Sequence, residues 1–502
     1  KYMKKLMALL AALTLALAMA VPAFAETTTT TYTITINNGT GTYAAYQIFK
    51  GDLHEGTLSN IQWGDNVTDA GKEALGKAAD RAKELTNTEE AKAFAGAVAP
   101  YLGGTAGTVT VDSNGTGTIT GLAAGYYLIK NTAVGKDEVY TDYILRVVEN
   151  VSVTPKSDKP TLDKQIKHND GTWGVVGDNQ IGDTVEFRTI TTVPDVSVYS
   201  KYEYIIHDEM SAGLTSKVND NDDVTIKVND ATDLDKKYYT VTVVGTNKFT
   251  VTIDVLQAIK DGEMAAGNKL YTYYTGILNE NAAVYDVGKQ DNKAYLEYSN
   301  NPHDKDSKTE TPKKVVYDWT FKMEVNKVDG ESNAPLTDAK FVLSKKNNLD
   351  LGVIDDDGKP TNTENLIKLI DNGGGSYTVA PAGHTGTYVM TAGKITIKGL
   401  DDATEYYLYE TKAPAGYNRL TDAVKFKITA GYDETGENWT SVTTTVNEDD
   451  PQAGLSITVK NNKGASLPST GGIGTTLFYV IGGGLMAVAA VLLVAKKRMN
   501  NK

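Results

Sequence analysis

The chain has 502 residues, no cysteine and a formal charge of −13, from 63 Asp/Glu against 50 Lys/Arg. An acidic surface of this kind argues against nucleic acid and anionic lipid as partners. With no cysteine, any covalent staple must come from other side chains, and the length predicts several domains rather than one core.

In chain order, Lys4 and Lys5 precede an apolar run from Leu6 to Val21, and Ala23-Phe24-Ala25 closes it. This is the pattern of a secretory signal peptide over residues 1–25. Val, Thr, Tyr and Ile then dominate, with frequent Gly, Asn and Asp turns, which predicts a mainly β chain of sandwich domains. One stretch differs: Thr68 to Leu102 is rich in Ala, Lys and Glu at helical spacing, so the first domain carries a helical insertion. Pro-containing linkers at Thr154–Pro160 and Asn301–Pro312 divide the middle into domains over 26–156, 157–314 and 315–464. Near the C-terminus, Leu467-Pro468-Ser469-Thr470-Gly471 (467–471) precedes an apolar stretch over 473–495, long enough for one membrane span. The basic tail 496–502, with Lys496, Lys497, Arg498 and Lys502, would stay on the cytoplasmic side. The pentapeptide, placed just before a span and a basic tail, resembles the sorting signal of sortase substrates. The resemblance implies cleavage between Thr470 and Gly471, with Thr470 held as a thioester until an amine takes it. Loss of 1–25 and 471–502 removes seven Lys/Arg and no acid, leaving a mature charge of −20.

An internal repeat joins the first and third domains. Ile119-Thr120-Gly121-Leu122 leads into Tyr126–Lys130, and Ile397-Lys398-Gly399-Leu400 leads into Tyr406–Glu410. Where the third domain has Glu410, the first has Lys130.

Alternate residues of a strand share a face. In the third domain, Trp319, Phe321, Met323 and Val325 form an apolar stripe that continues to Lys327. Leu455, Ile457 and Val459 continue to Asn461, and Tyr406 and Leu408 to Glu410. In the second domain, Leu162 and Ile166 flank Lys164; Ala294, Leu296 and Tyr298 lead to Asn300; Tyr204 and Ile206 lead to Asp208. Each domain thus has a Lys on its first strand, an Asn on its last and an acid between. Burial would strip the lysine of its proton and make it a nucleophile. The buried acid, kept protonated, would polarise the Asn carbonyl and carry the proton to departing ammonia. The expected products are two intramolecular isopeptide bonds, with Asp208 and Glu410 as proton shuttles.

These residues carry a family resemblance. Lys327-Val328-Asp329-Gly330, the run Tyr407–Tyr417 and Val459-Lys460-Asn461 resemble a CnaB-type domain with its E-box. His207–Leu214 and Tyr298–Pro302 resemble the isopeptide-forming fimbrial domain. Together with the pentapeptide, the chain is similar to SpaA/SpaH-type major pilins of Gram-positive bacteria. The resemblance implies three tandem Ig-like or CnaB-type β-sandwich domains in a secreted, wall-anchored pilus subunit. It also implies polymerisation through the lysine of a Val-x-Val-x-Pro-Lys motif, here Val151–Lys156, with Lys159 as its neighbour. The implied partners are identical pilin subunits, pilus and housekeeping sortases, peptidoglycan, minor pilins and host surface ligands. A monomeric wall-anchored adhesin would share the same signals.

Nothing else reads as catalytic, and no cofactor or metal is expected. The histidines His54, His168, His207, His303 and His384 lack metal-ligand spacing. The run Asn219–Asp223 lacks the glycine and closing Glu of an EF-hand loop and reads as surface.

Overall fold

The computed structural model describes residues 30–134, 139–155, 159–197, 199–302, 304–391, 393–464 and 474–499. The signal-peptide expectation, Lys156, the pentapeptide 467–471 and Lys502 lie outside the described residues.

Three pairs of β-sheets follow one another along the chain. In the first pair, Tyr32–Ile36 lies between Gly117–Leu122 and Val151–Val153, the latter running parallel to it. The facing sheet is built on Thr42–His54, which pairs with Thr57–Trp63, Gly107–Thr110 and Gly125–Ala133. Ile34, Tyr43, Tyr127 and Ile129 meet between the two sheets. The outer face of the second sheet offers Ile48, Phe49 and Leu128, and the Ala-rich insertion covers it with Phe94, Ala95 and Val98. That insertion is three short helices, Asp69–Leu75, Ala78–Glu84 and Thr88–Val98. Thr68 and Asn87 cap the first and last through their side-chain oxygens.

The second pair of sheets places Leu162–Lys167 beside Thr184–Thr192, which in turn pairs with Lys269–Leu278. Facing it, Tyr204–Met210 lies between Lys248–Ile253 and Gln290–Ser299. The strand Lys314–Trp319 pairs with Gln290–Ala294 and with Val176–Asp178, so it belongs to this sheet. This corrects the expected boundary at 314/315. Trp319 and Phe321 have the parity of one continuous strand, but the chain breaks at the fully buried Thr320, whose hydroxyl donates to the Leu400 carbonyl. The third pair of sheets therefore starts at Phe321–Asp329.

In the third pair, Phe321–Asp329 lies between Lys394–Leu400 and the parallel closing strand Ser456–Asn461. The facing sheet is centred on Glu405–Lys412, flanked by Lys340–Ser344 and Val424–Tyr432. The repeat is visible here. Both Gly117–Leu122 and Lys394–Leu400 turn over into a central strand of the opposite sheet.

The second and third units touch closely. Ile181 N donates to Gly399 O at 3.0 Å, and a Cβ on Gly399 (φ +87°) would sit 2.5 Å from Ile181 Cδ1. Gly399 is thus required both for its left-handed backbone and for this approach. Beyond the sheets, Gly474–Met499 is a helix, and its segment Phe478–Met499 is long and apolar enough to cross a membrane. Lys496, Lys497 and Arg498 sit in its last turn.

Candidate functional site

The third unit brings Lys327, Glu410 and Asn461 together. Lys327 and Asn461 sit on adjacent parallel strands one inward-facing position apart, Lys327 beside Val459 and Asp329 beside Asn461. Glu410 comes from the facing sheet. Lys327 Nζ lies 3.1 Å from Glu410 Oε1, with 1% and 0% of the two side chains exposed. Asn461 Nδ2 donates to Glu410 Oε2 at 2.9 Å and to the Asn418 carbonyl. Phe341 roofs the amine, its ring centre 5.5 Å from Nζ. Burial pushes the Lys327 amine below its ordinary value, against the pull of Glu410. Asn461 Oδ1 has no hydrogen-bond partner, so the carbonyl that would be attacked is not held by another donor.

The second unit brings Lys164 and Asp208 together at 2.5 Å, both side chains fully buried. Burial drives the lysine down and the acid up, the direction of a neutral amine beside a neutral acid. Asn300 is not at this site. Asp208 pairs with Ala294, and Asn300 lies six residues further on, about 20 Å at the rise of a strand. The strand ends at Ser299, and the Asn300 carboxamide oxygen accepts from Ser307 Oγ at 2.8 Å. Its backbone carbonyl accepts from Tyr140 N of the first unit, which makes Asn300 part of the joint between the units.

The amide at the Lys164 site is Asn292. It lies on the inward face two residues from Ala294, is 0% exposed, and rests against Asp208 and Tyr274. It lies close enough to pull both the Asp208 acid and the Tyr274 phenol down, yet neither its nitrogen nor its oxygen makes a well-formed hydrogen bond. A buried amide with both polar atoms unpaired costs stability in an ordinary core; beside a buried amine and acid, it is an electrophile. Sequence parity could have found it, because residues 292, 294, 296 and 298 share one stripe.

The first unit holds no such triad among the described residues. Lys130 is half-buried, in the position of the repeat that Glu410 occupies in the third unit. The buried Asn131 is satisfied by Thr40 O and by Thr141. Lys159 is exposed, six residues after Val153 in the sequence. In the run Asn219–Asp223 the side chains cap local turns and pair with Lys236, with Asn221 holding Val241 N.

Two sequence profiles match the chain: the SpaA prealbumin-like fold domain over residues 321–442 and the LPXTG cell-wall anchor motif over 459–502. Residues 321–442 thus resemble a SpaA prealbumin-like domain, and residues 459–502 an LPXTG cell-wall anchor. The trypsin-resistant surface T6 protein of Streptococcus pyogenes serotype M6 is 28% identical over 264 residues, 45% of this chain. The chain spans about half the length of that curated relative, 48%. Among solved structures, the T6 backbone pilin of serotype M6 S. pyogenes is 18% identical, with TM-score 0.49, over 87% of this chain and 99% of that one. The major pilin SpaD from Corynebacterium diphtheriae is 19% identical, with TM-score 0.48, over 87% and 98%.

Proposed function

We propose that this chain is the backbone subunit of a sortase-assembled pilus, joined head to tail from Thr470 of one subunit to Lys156 of the next. Within each subunit, isopeptide bonds Lys164–Asn292 and Lys327–Asn461 lock the second and third units. The observation that carries the reading is the repeated burial of an amine, an acid and an amide together, in a chain whose residues 459–502 match a cell-wall anchor motif.

The chemistry of the internal bonds follows from burial. The lysine nitrogen attacks the Asn Cγ, the neighbouring acid donates to the carbonyl oxygen, and ammonia leaves with the proton that the acid returns. Three costly buried polar groups become a neutral amide and an acid. Each bond closes a loop of more than a hundred residues, which in the chain-entropy model used for disulfides is worth about 5 kcal/mol. In the third unit the bond joins two adjacent parallel strands, the first and the last, so tension applied at the ends meets a covalent link.

The intermolecular bond uses a C-terminal acyl donor and an internal amine. Such a contact between identical chains is heterologous and does not close, so it builds an open filament. The strand Val151–Val153 leads to Lys156 from the edge of the first unit's three-stranded sheet, in keeping with an amine offered at a domain end. Identical subunits, a pilus sortase and peptidoglycan are the partners this reading requires; minor pilins and host ligands would be additional. The deciding experiment is a denaturing gel of wall extracts. A high-mass ladder supports the filament, and a single band makes the chain a monomeric adhesin.

A further inference from the structure

The two candidate sites differ in one group. In the third unit Glu410 reaches both Lys327 and Asn461 directly. In the second unit the shorter Asp208 carries an unpartnered Oδ1, and a phenol stands beside it. The Tyr274 hydroxyl accepts from Lys164 Nζ and donates to Asp208 Oδ2. Its ring is locked, stacked on Phe187 at 5.9 Å and edge-on to Phe249 at 5.0 Å. Asn292 rests against the same hydroxyl. The ring beside Lys327 is that of Phe341, on the strand that pairs with Glu410, and it has no hydroxyl.

From this bridge between amine and acid we infer that Tyr274 is a catalytic residue of the second unit, relaying protons between Lys164, Asp208 and Asn292. This rests on the reading of Lys164 and Asn292 as bond partners. In the first step an N–H of the Lys164 ammonium breaks and its proton passes to the Tyr274 oxygen, while the phenolic proton moves to Asp208 Oδ2. The ion pair becomes a neutral amine and a neutral acid with no side chain turning. The amine lone pair then forms the bond to Asn292 Cγ, and Asp208 protonates the carbonyl oxygen. The second amine proton crosses the same hydroxyl, and Asn292 Nδ2 is protonated as the carbonyl reforms. The Cγ–Nδ2 bond breaks and one ammonia leaves; the O–H proton of the intermediate returns to Asp208, which ends as the neutral acid, and Tyr274 ends with its own proton. A hydroxyl suits this task because it donates and accepts at once. Burial lifts the phenol well above its ordinary value, so it acts as a neutral relay rather than as a phenolate.

The test follows the loss of ammonia by mass spectrometry in freshly translated full-length chain, resolved by unit after proteolysis, from pH 5 to 9. In Tyr274→Phe the third unit should close at the wild-type rate, while the second should close at least tenfold more slowly with an altered pH profile. Closure of the second unit at the wild-type rate with an unchanged profile would overturn the relay. If the wild-type second unit itself never loses ammonia, the bond reading fails, and the relay with it. Should the Phe variant fail to fold, 3-fluorotyrosine installed at position 274 alone keeps ring and hydroxyl but makes a stronger acid. The relay then requires the pH profile of closure to move downward, and an unmoved profile overturns it.

Discussion

Lys164 Nζ lies 2.5 Å from Asp208 Oδ2 in a core from which both side chains are fully withdrawn. Left as ions they would carry a desolvation cost that a single contact barely offsets. Conversion of the amine to an amide removes that cost. The mature chain is therefore expected to weigh two ammonia masses less than its sequence. Asn292→Ala should restore one and Asn461→Ala the other, each costing about 4–5 kcal/mol in stability from the lost cross-link. Asn300→Ala should leave the mass deficit intact. An intact-mass measurement separates these outcomes, and a deficit abolished by Asn300→Ala would return the role to that residue.

The second expectation concerns the first unit. It lacks the triad among its described residues, and its outer face is closed by three short helices rather than by covalent means. Without a cross-link its local unfolding is not held back by the rest of the chain. Limited trypsin digestion should cut the first unit before the other two. Cleavage beginning in the third unit would contradict this.

How much of the site was legible depended on strand parity. Lys327, Glu410 and Asn461 were found because each continues an uninterrupted apolar stripe into the core. The same rule misassigned the second amide. The stripe 292–300 has an asparagine at each end, and only the register of Asp208 with Ala294 says which end meets the lysine. The boundary at 314/315 put Val315–Trp319 in the next unit, and parity ran Trp319 into that unit's stripe, since a single buried threonine between two in-phase strands leaves no trace in the pattern. Tyr274 is one of 29 tyrosines and sits in an ordinary alternating strand. Its role depends on cross-sheet distance, which periodicity does not carry.

Polymerisation should depend on Lys156. Lys156→Arg keeps the charge but offers no usable amine. The variant is expected to fold, to lose both ammonias and to reach the wall through Thr470, yet to run as a monomer on a denaturing gel. A normal ladder would move the role to Lys159 or another lysine, and tandem mass spectrometry of the Thr470-linked peptide would identify it.

The last expectation is a pH dependence at the joint between the second and third units. Asp178, Asp401 and Asp402 bring carboxylate oxygens within 4.8 Å of one another there. Burial and mutual repulsion push Asp178 up to about 10, and burial pushes Asp401 and Asp318 up to about 7. Lys345, 3.7 Å from Asp183, is the nearby cation that opposes the rise at Asp401, and the half-buried phenol of Tyr432 donates to Asp402. A carboxyl whose folded value lies above its unfolded one holds its proton better in the folded chain. Stability from these groups is therefore full below about pH 4 and lost as pH rises, through about 7 for Asp401 and Asp318 and through about 10 for Asp178. Asp433, held down to about 2 by hydrogen bonds from Asn438 and Thr435, titrates below that window. Calorimetry of the mature chain between pH 4.5 and 8 should show the melting temperature of the joined units falling with pH. Asp401→Asn keeps the shape and the Thr404 and Asn169 neighbours but cannot ionise. It should flatten that fall and melt higher than wild type at pH 8. An equally steep fall in Asp401→Asn would show that this carboxylate is not what couples the joint to pH.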